Sequence, residues 1–306
     1  MADSARAGGG KLQLPMKRWT IKQAIGPATA LLPERTMRFR LKALGLHLLA
    51  SAVVLALVLA TLYLGWYRWP GWFLADALPV VMVLAGVDLA LGPLLTFVIA
   101  RADKPRRELA RDIAIIVVVQ ICALVYGATS LWNGRPLYYA FSEDVLQLVQ
   151  AYDIDEQEWA LGGEQNAKLA PHWYSLVRWI WAPLPQDENE REKIVHAAVS
   201  GGDDVISMPR YFRTWDEGLP ELRKQLKKVD DIKYFSGADK EGAKELLRAA
   251  GFATDQLSCM AITGRGRPLL AVFDLQTLKI QRIFKLKERP PPPRPKAKRR
   301  KSSPAS

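Results

Sequence analysis

Three apolar runs, each long enough to cross a bilayer, constrain this 306-residue chain more than any other feature. They cover about residues 44–66, 78–100 and 113–131. A hydrocarbon layer about 30 Å thick needs about 20 apolar residues of helix at 1.5 Å rise per residue. The first run starts too far from the amino terminus, and lasts too long, for a cleaved signal peptide; no small-residue cleavage site precedes Arg68. The expected architecture is a membrane protein with a three-helix N-terminal transmembrane bundle. A small α+β periplasmic domain with an antiparallel sheet is expected to follow.

The direction of crossing follows from the basic residues. Arg35, Arg38, Arg40 and Lys42 precede the first run, and Arg101, Lys104, Arg106, Arg107 and Arg111 crowd the loop between the second and third. The loop between the first two runs carries only Arg68 and Asp76. Short loops rich in lysine and arginine stay in the cytoplasm. The reading is a multi-pass protein of a bacterial inner membrane, amino terminus inside and C-terminal domain in the periplasm. Tyr63, Trp66, Tyr67, Trp69, Trp72 and Phe73 form an aromatic belt at the outer interface, joined by Trp132.

The formal net charge of +12 belongs to the tails. Residues 1–42 hold nine basic against two acidic residues, and residues 285–306 hold nine against one. The body from 132 to 284 holds nineteen against twenty-three. A nucleic-acid-binding domain would carry its basic patch on a folded face, so that class is excluded. Cys122 lies in an apolar run and Cys259 in the soluble body, too far apart in depth to bridge, and both are read as small packing residues.

Inside the apolar runs, Asp88 stands near the middle of the second. An ionisable group at that depth costs on the order of 3 kcal/mol unless it faces protein, which marks it as a functional candidate. Gln120 on the third run falls at the same depth, and His47 and Thr96 pair one layer nearer the cytoplasm. Two readings stand: polar glue within the bundle, or a docking point for a partner's membrane helix. Gly86-x-x-x-Ala90 and Ala123-x-x-x-Gly127 offer small-residue faces for helix contact. Gly92-Pro93 predicts a kink, because Pro93 removes a backbone hydrogen bond.

In the outer domain, Leu137–Phe141 and Val145–Tyr152 read as a hairpin and Tyr174–Trp181 as a further strand. Helices are expected over Asp187–Val199, Leu219–Val229 and Asp239–Ala250. Three strands, Leu257–Thr263, Pro268–Asp274 and Lys279–Lys285, end the domain, with Gly264-Arg-Gly266 as one turn. Residues 1–36, with Gly8-Gly9-Gly10 and scattered basic residues, read as a disordered leader or as sequence upstream of a true start at Met37. Residues 287–306 read as a disordered, basic, proline-rich tail.

No catalytic or metal motif emerges. H-E-x-x-H, G-x-S-x-G, S-x-x-K and P-loop patterns are absent. His172 and His196 have no partner at ligand spacing, Gly201-Gly-Asp-Asp204 lacks the oxygen ligands of a calcium loop, and Gly264-Arg-Gly-Arg267 joins two strands rather than a strand and a helix. Trp173, Tyr174, Trp179 and Trp181 are either core or a recognition surface. No enzyme activity, cofactor or metal is expected.

One string of residues resembles a known family. Asp88-x-x-Leu-Gly-Pro-Leu-Leu-Thr96 is followed by Lys104-Pro105, Arg107-x-Leu109-x-x-Asp112, Gln120-x-x-Ala-Leu-x-Tyr-Gly127 and Arg135-Pro136. The outer domain adds Leu184-Pro185, Gly201-Gly202, Pro209-x-Tyr211 and Trp215 in the same order. Together they resemble the TfpX/TfpZ type IV pilin accessory proteins over about residues 37–285. The resemblance implies an inner-membrane assembly chaperone that binds a cognate type IV pilin and promotes its incorporation into pili. It implies as partners that pilin, inner-membrane lipids and other pilus assembly components, and no nucleic acid. The pilin's apolar helix is expected to meet Asp88, Gly86, Gly92, Pro93, Gln120, Ala123, Tyr126, Gly127 and Arg135. Two rivals remain. A membrane-anchored ligand-binding or sensory protein should have a cytoplasmic output module, yet only short basic segments face inward. A membrane-bound aspartyl peptidase needs a second carboxylate; Asp103 and Asp112 lie in the inner loop without Gly-x-Gly-Asp context.

Overall fold

The computed structural model describes residues 34–252 and 258–286. The expected tail, and all but the last three residues of the expected leader, lie outside them, as does Leu257 of the expected fourth strand. Three helices are long and apolar enough to cross a membrane: α1 (Glu34–Gly65), α2 (Leu78–Ile99) and α3 (Arg106–Asn133). Each is apolar around most of its circumference, and Leu57, Val83 and Val118 stay outward-facing and exposed. At the charged end, Arg40 Nε donates to the Ala100 carbonyl at 2.9 Å, placing a cation on the C-terminal end of α2.

The polar half is a seven-stranded sheet with order β4-β3-β1-β2-β5-β6-β7. Its strands are β1 (Pro136–Ser142), β2 (Val145–Gln150), β3 (Arg178–Trp181), β4 (Arg213–Thr214), β5 (Ser258–Thr263), β6 (Leu269–Phe273) and β7 (Ile280–Lys285). The expected antiparallel sheet is corrected to a mixed one. The β1–β2 hairpin is antiparallel, but β3 joins β1 and β5 joins β2 in parallel. Each parallel pairing needs a crossover connection, which residues 151–177 and the segment between β4 and β5 provide. β1 is buried along its whole length, as a strand covered on both faces must be.

Among the described residues three helices of more than ten residues pack on this head: α4 (Glu188–Val199), α5 (Trp215–Gln225) and α6 (Gly237–Ala249). Each starts at a polar cap: Asp187 accepts from the Glu190 amide at 2.8 Å, and Thr214–Glu217 and Ser236–Asp239 form reciprocal capping boxes. Ile194 of α4 packs with Tyr138, Ala140 and Phe212, while Ala243 and Leu247 of α6 pack with Val145, Ala261 and Leu270. The opposite face presents Tyr139, Phe141, Leu146, Met260 and Ile262. These form one continuous core with Leu222 of α5 and with Leu62, Tyr67, Leu74 and Leu131 from the long helices and their connection.

The head is therefore seated directly on the helix ends. The Gly264–Gly266 turn of the β5–β6 hairpin lies against the connection between α1 and α2, where the Gly266 amide donates to the Leu74 carbonyl at 3.0 Å. A Cβ at Gly264 would come 2.5 Å from the Leu74 carbonyl oxygen, and one at Gly266 would come 2.4 Å from that of Phe73. Both positions require glycine for close backbone approach.

Candidate functional site

The most distinctive chemistry lies between the long helices. Pro93 has no amide hydrogen and cannot donate to the Leu89 carbonyl one turn back. The helix resolves this locally as a π-helical turn over Gly86–Leu91, in which the Gly92 amide donates to Val87 rather than to Asp88. The Asp88 carbonyl is thereby released from the helix ladder, and Gln120 Nε2 of α3 donates to it at 3.3 Å. Gly92 makes room for that crossing: a Cβ there would lie 2.1 Å from Gln120 Nε2. The expected kink residues thus shape a π turn that accepts a polar side chain from the neighbouring helix.

From Gln120 the polar chain continues through all three helices. Its Oε1 lies 2.7 Å from His47 Nε2 of α1, and His47 Nδ1 lies 2.7 Å from the Thr96 hydroxyl of α2. Because Gln120 Oε1 can only accept, Nε2 of His47 is the donor, and in the neutral imidazole Nδ1 accepts from the Thr96 hydroxyl. Ser51 lies 3.4 Å from Gln120 Nε2. The sequence reading placed Asp88–Gln120 and His47–Thr96 in separate layers; the long Gln120 side chain joins them into one network. Ser51 was missed, although its position four residues after His47 puts it on the same helix face.

This network floors a groove of about 460 Å³ between α1 and α3. One wall is Ala43, Leu46, Ala50 and Val54; the other is Ile113, Val117, Ile121 and Leu124. Leu46, Val54, Val117 and Ile121 remain exposed along it. Asp88, 4% exposed, is the only carboxylate among the lining residues.

The other expected site residues separate. Gly127 is buried against Leu84, whose Cδ2 would lie 2.4 Å from an added Cβ, so it serves the α2–α3 contact inside the bundle. Ala123 is half-buried one turn below. Gly86 has nothing within 4 Å of its Cβ position, and Tyr126 is 81% exposed, so both look outward from the bundle. Arg135 stands at the joint with the head, where Nη1 donates to the Trp132 carbonyl at 2.8 Å and the guanidinium lies 4.2 Å over the Trp132 ring. Beside it the buried Tyr67 hydroxyl donates to the Leu131 carbonyl at 2.7 Å. Burial pushes the Tyr67 phenol above its ordinary range and lowers the Arg135 guanidinium from its own.

The groove thus has an apolar mouth and a polar floor, and it lies in the same helices that carry the head. The chain is similar to three fimbrial assembly proteins. That of Dichelobacter nodosus serogroup I is 28% identical over 191 residues, covering 62% of this chain and 72% of the relative. The serogroup E1 protein is 27% identical over the same length, with the same coverage. The protein of serogroups C1 and C2 is 29% identical over 116 residues, 38% of this chain and 88% of its own length. No protein-family model matches the chain, and no solved structure matches it.

Beyond the region of the groove, the aromatic cluster of the head divides. Trp179 and Trp181 are half-buried, Trp179 stacking on Tyr139 at 4.5 Å, whereas Trp173 and Tyr174 are exposed. Among the described residues no group of three His, Cys, Asp or Glu side chains is placed to hold a metal ion.

Proposed function

We propose that this chain is an accessory protein of pilus assembly, of the TfpX/TfpZ kind, and that the groove between α1 and α3 receives the apolar helix of a type IV pilin. The named role of the fimbrial assembly relatives supports the process, and the polar-floored groove is the observation that carries the mechanism. A guest helix gains dispersion contacts along both walls and presents any polar group to Asp88, His47 or Gln120. Few polar bonds are available to it, so the contact is modest and reversible, as delivery to a growing fibre requires. The head, held over the same membrane patch by the continuous core, reads the pilin's globular part and supplies specificity. The basic ends at Arg35–Lys42 and Arg101–Arg111 favour an inner-membrane placement with those ends cytoplasmic and the head periplasmic.

The proposed role is non-enzymatic. Asp103 and Asp112, the candidate second carboxylates of a peptidase, are engaged by Arg101 and Lys104 at the charged end, away from the groove. The test is an in-frame deletion complemented with wild type or with Ala50→Trp, whose indole obstructs the groove. Surface pili should be lost in the deletion and in Ala50→Trp while pilin and variant levels stay normal. Normal piliation by a stable Ala50→Trp protein would refute the groove.

A further inference from the structure

On the head, residues 171–177 form a loop whose construction differs from an ordinary solvent turn. The Ser175 amide donates to the His172 carbonyl at 3.0 Å, and the His172 amide donates to the Ser175 hydroxyl at 2.9 Å, closing a tight turn. Its two central positions, where Gly, Pro, Asn, Asp or Ser normally appear, are Trp173 and Tyr174. Trp173 is 73% exposed, Tyr174 62% and Leu176 60%. The rings are ordered against one another: His172 stacks on Tyr174 at 5.4 Å and Trp173 meets Tyr174 edge-on at 5.5 Å.

The height of this loop is fixed by its attachment. Trp66, immediately after the last residue of α1, donates its indole N–H to the Ser175 carbonyl at 2.8 Å and packs edge-on against Trp132 near the end of α3 at 5.0 Å. Val177 packs into the core shared by head and helix ends. The turn tip is thus held level with the ends of two long apolar helices. No acidic residue occurs between Gln165 and Gln186, so the loop itself carries no carboxylate to face lipid phosphates.

We propose that Trp173, Tyr174 and Leu176 form a lipid anchor, inserted at the boundary between headgroups and acyl chains of the leaflet beneath the head. Indole and phenol rings favour that layer because each has an apolar body and a polar edge. The anchor continues the interface set by Tyr63 and Trp69, which are also exposed near the same helix ends. It gives the head a third attachment beside the helices, fixing its tilt over the membrane. The inference rests on the reading that the three helices span a bilayer, and is independent of the pilus role.

The test places a nitroxide at Trp173→Cys, in the full chain carrying Cys122→Ser, in phospholipid nanodiscs. Tyr126→Cys on α3 and Val199→Cys at the end of α4 serve as hydrocarbon and water references. Collision with oxygen, which concentrates in lipid, is compared with collision with a water-soluble nickel chelate. The anchor predicts an oxygen-to-nickel ratio at Trp173 shifted from the Val199 value towards the Tyr126 value. A ratio equal to that at Val199 overturns it, as does shielding from both reagents, which would mean a protein contact. A water-like ratio at Tyr126 would instead sink the spanning reading, and the anchor with it. Because the label replaces an exposed side chain, the Leu176→Cys site repeats the measurement with the aromatic pair intact.

Discussion

Replacing Gly92 with alanine should harm the protein only while Gln120 is present. The added Cβ would lie 2.1 Å from Gln120 Nε2, 2.3 Å from Cδ and 2.6 Å from Oε1, so the Gln120 side chain must leave. Its departure breaks the 2.7 Å bond to His47 and the longer bond to the Asp88 carbonyl. Interhelical hydrogen bonds within membranes average about 0.6 kcal/mol and reach about 1.7. A buried carbonyl left without a donor costs about 1–3 kcal/mol. Together these give a loss of about 2 kcal/mol, offset by up to about 1 kcal/mol from the better helix propensity of alanine. In a Gln120→Ala background the obstruction is gone, and Gly92→Ala should be neutral or mildly stabilising. The four proteins form a double-mutant cycle with an expected coupling of about 2 kcal/mol. Unfolding of the purified full chain in detergent micelles, followed by tryptophan fluorescence and circular dichroism, measures it. Equal effects of Gly92→Ala in both backgrounds would refute the close approach and the network built on it.

Four further outcomes are expected. Gly266→Ala should destabilise by about 2 kcal/mol, because the new Cβ meets the Phe73 carbonyl rather than a movable side chain, and trypsin should cut faster at Arg265; Gly237→Ala, with open space around it, is the silent control. Burial pushes the Cys259 thiol up to about 12, so at pH 8 roughly one molecule in ten thousand carries the thiolate, and maleimide labelling should require unfolding. Burial also raises the Asp153 carboxyl, against the opposing Gln150 amide and Arg265. Its contribution is therefore fully present below the ordinary carboxylate pKa and lost as pH rises through the raised value. Asp153→Asn, which still accepts from Gln150, should show a smaller fall in Tm over that range; identical slopes would contradict the assignment. Trp66→Phe removes the donor to Ser175 at a cost of about 1 kcal/mol and should loosen the loop, read as faster nitroxide motion at Trp173→Cys.

The long helices were legible because hydrophobic length is a one-dimensional property, and counting residues from the run ends brought His47 level with Thr96 and Asp88 level with Gln120. Side-chain reach was not countable in the same way, which is why the link between the two layers, and Ser51, escaped notice. The Gly92-Pro93 pair revealed that a backbone bond is missing but not that the helix would answer with a π turn. In the head, apolar patterning located the β1–β2 hairpin, and the N-cap Asp187 with Gly201-Gly202 located α4. Strand partners are set by distant segments, so the parallel pairing of β3 with β1 and of β5 with β2 left no local signal, and β4 is only two residues long. Gly264 and Gly266 read as ordinary turn glycines because the carbonyls they approach lie far away in sequence. Trp173 and Trp179 differ in role although six residues apart, since one sits on a turn and the other in a strand.

The central claim is that a pilin helix lies in the groove between α1 and α3. Its most direct test is site-specific photocrosslinking in cells making pili, with the reactive residue at Val117 or Ile121 on the groove wall, or at Val83 or Leu94 on the outward face of α2. The groove predicts pilin adducts from Val117 and Ile121 that fall away when Ala50→Trp obstructs the space, with little from Val83 and Leu94. Adducts from Val83 and Leu94 instead would place the contact on the face of Gly86 and Ala90, and an absence of adducts at every position in fully piliated cells would contradict pilin docking altogether.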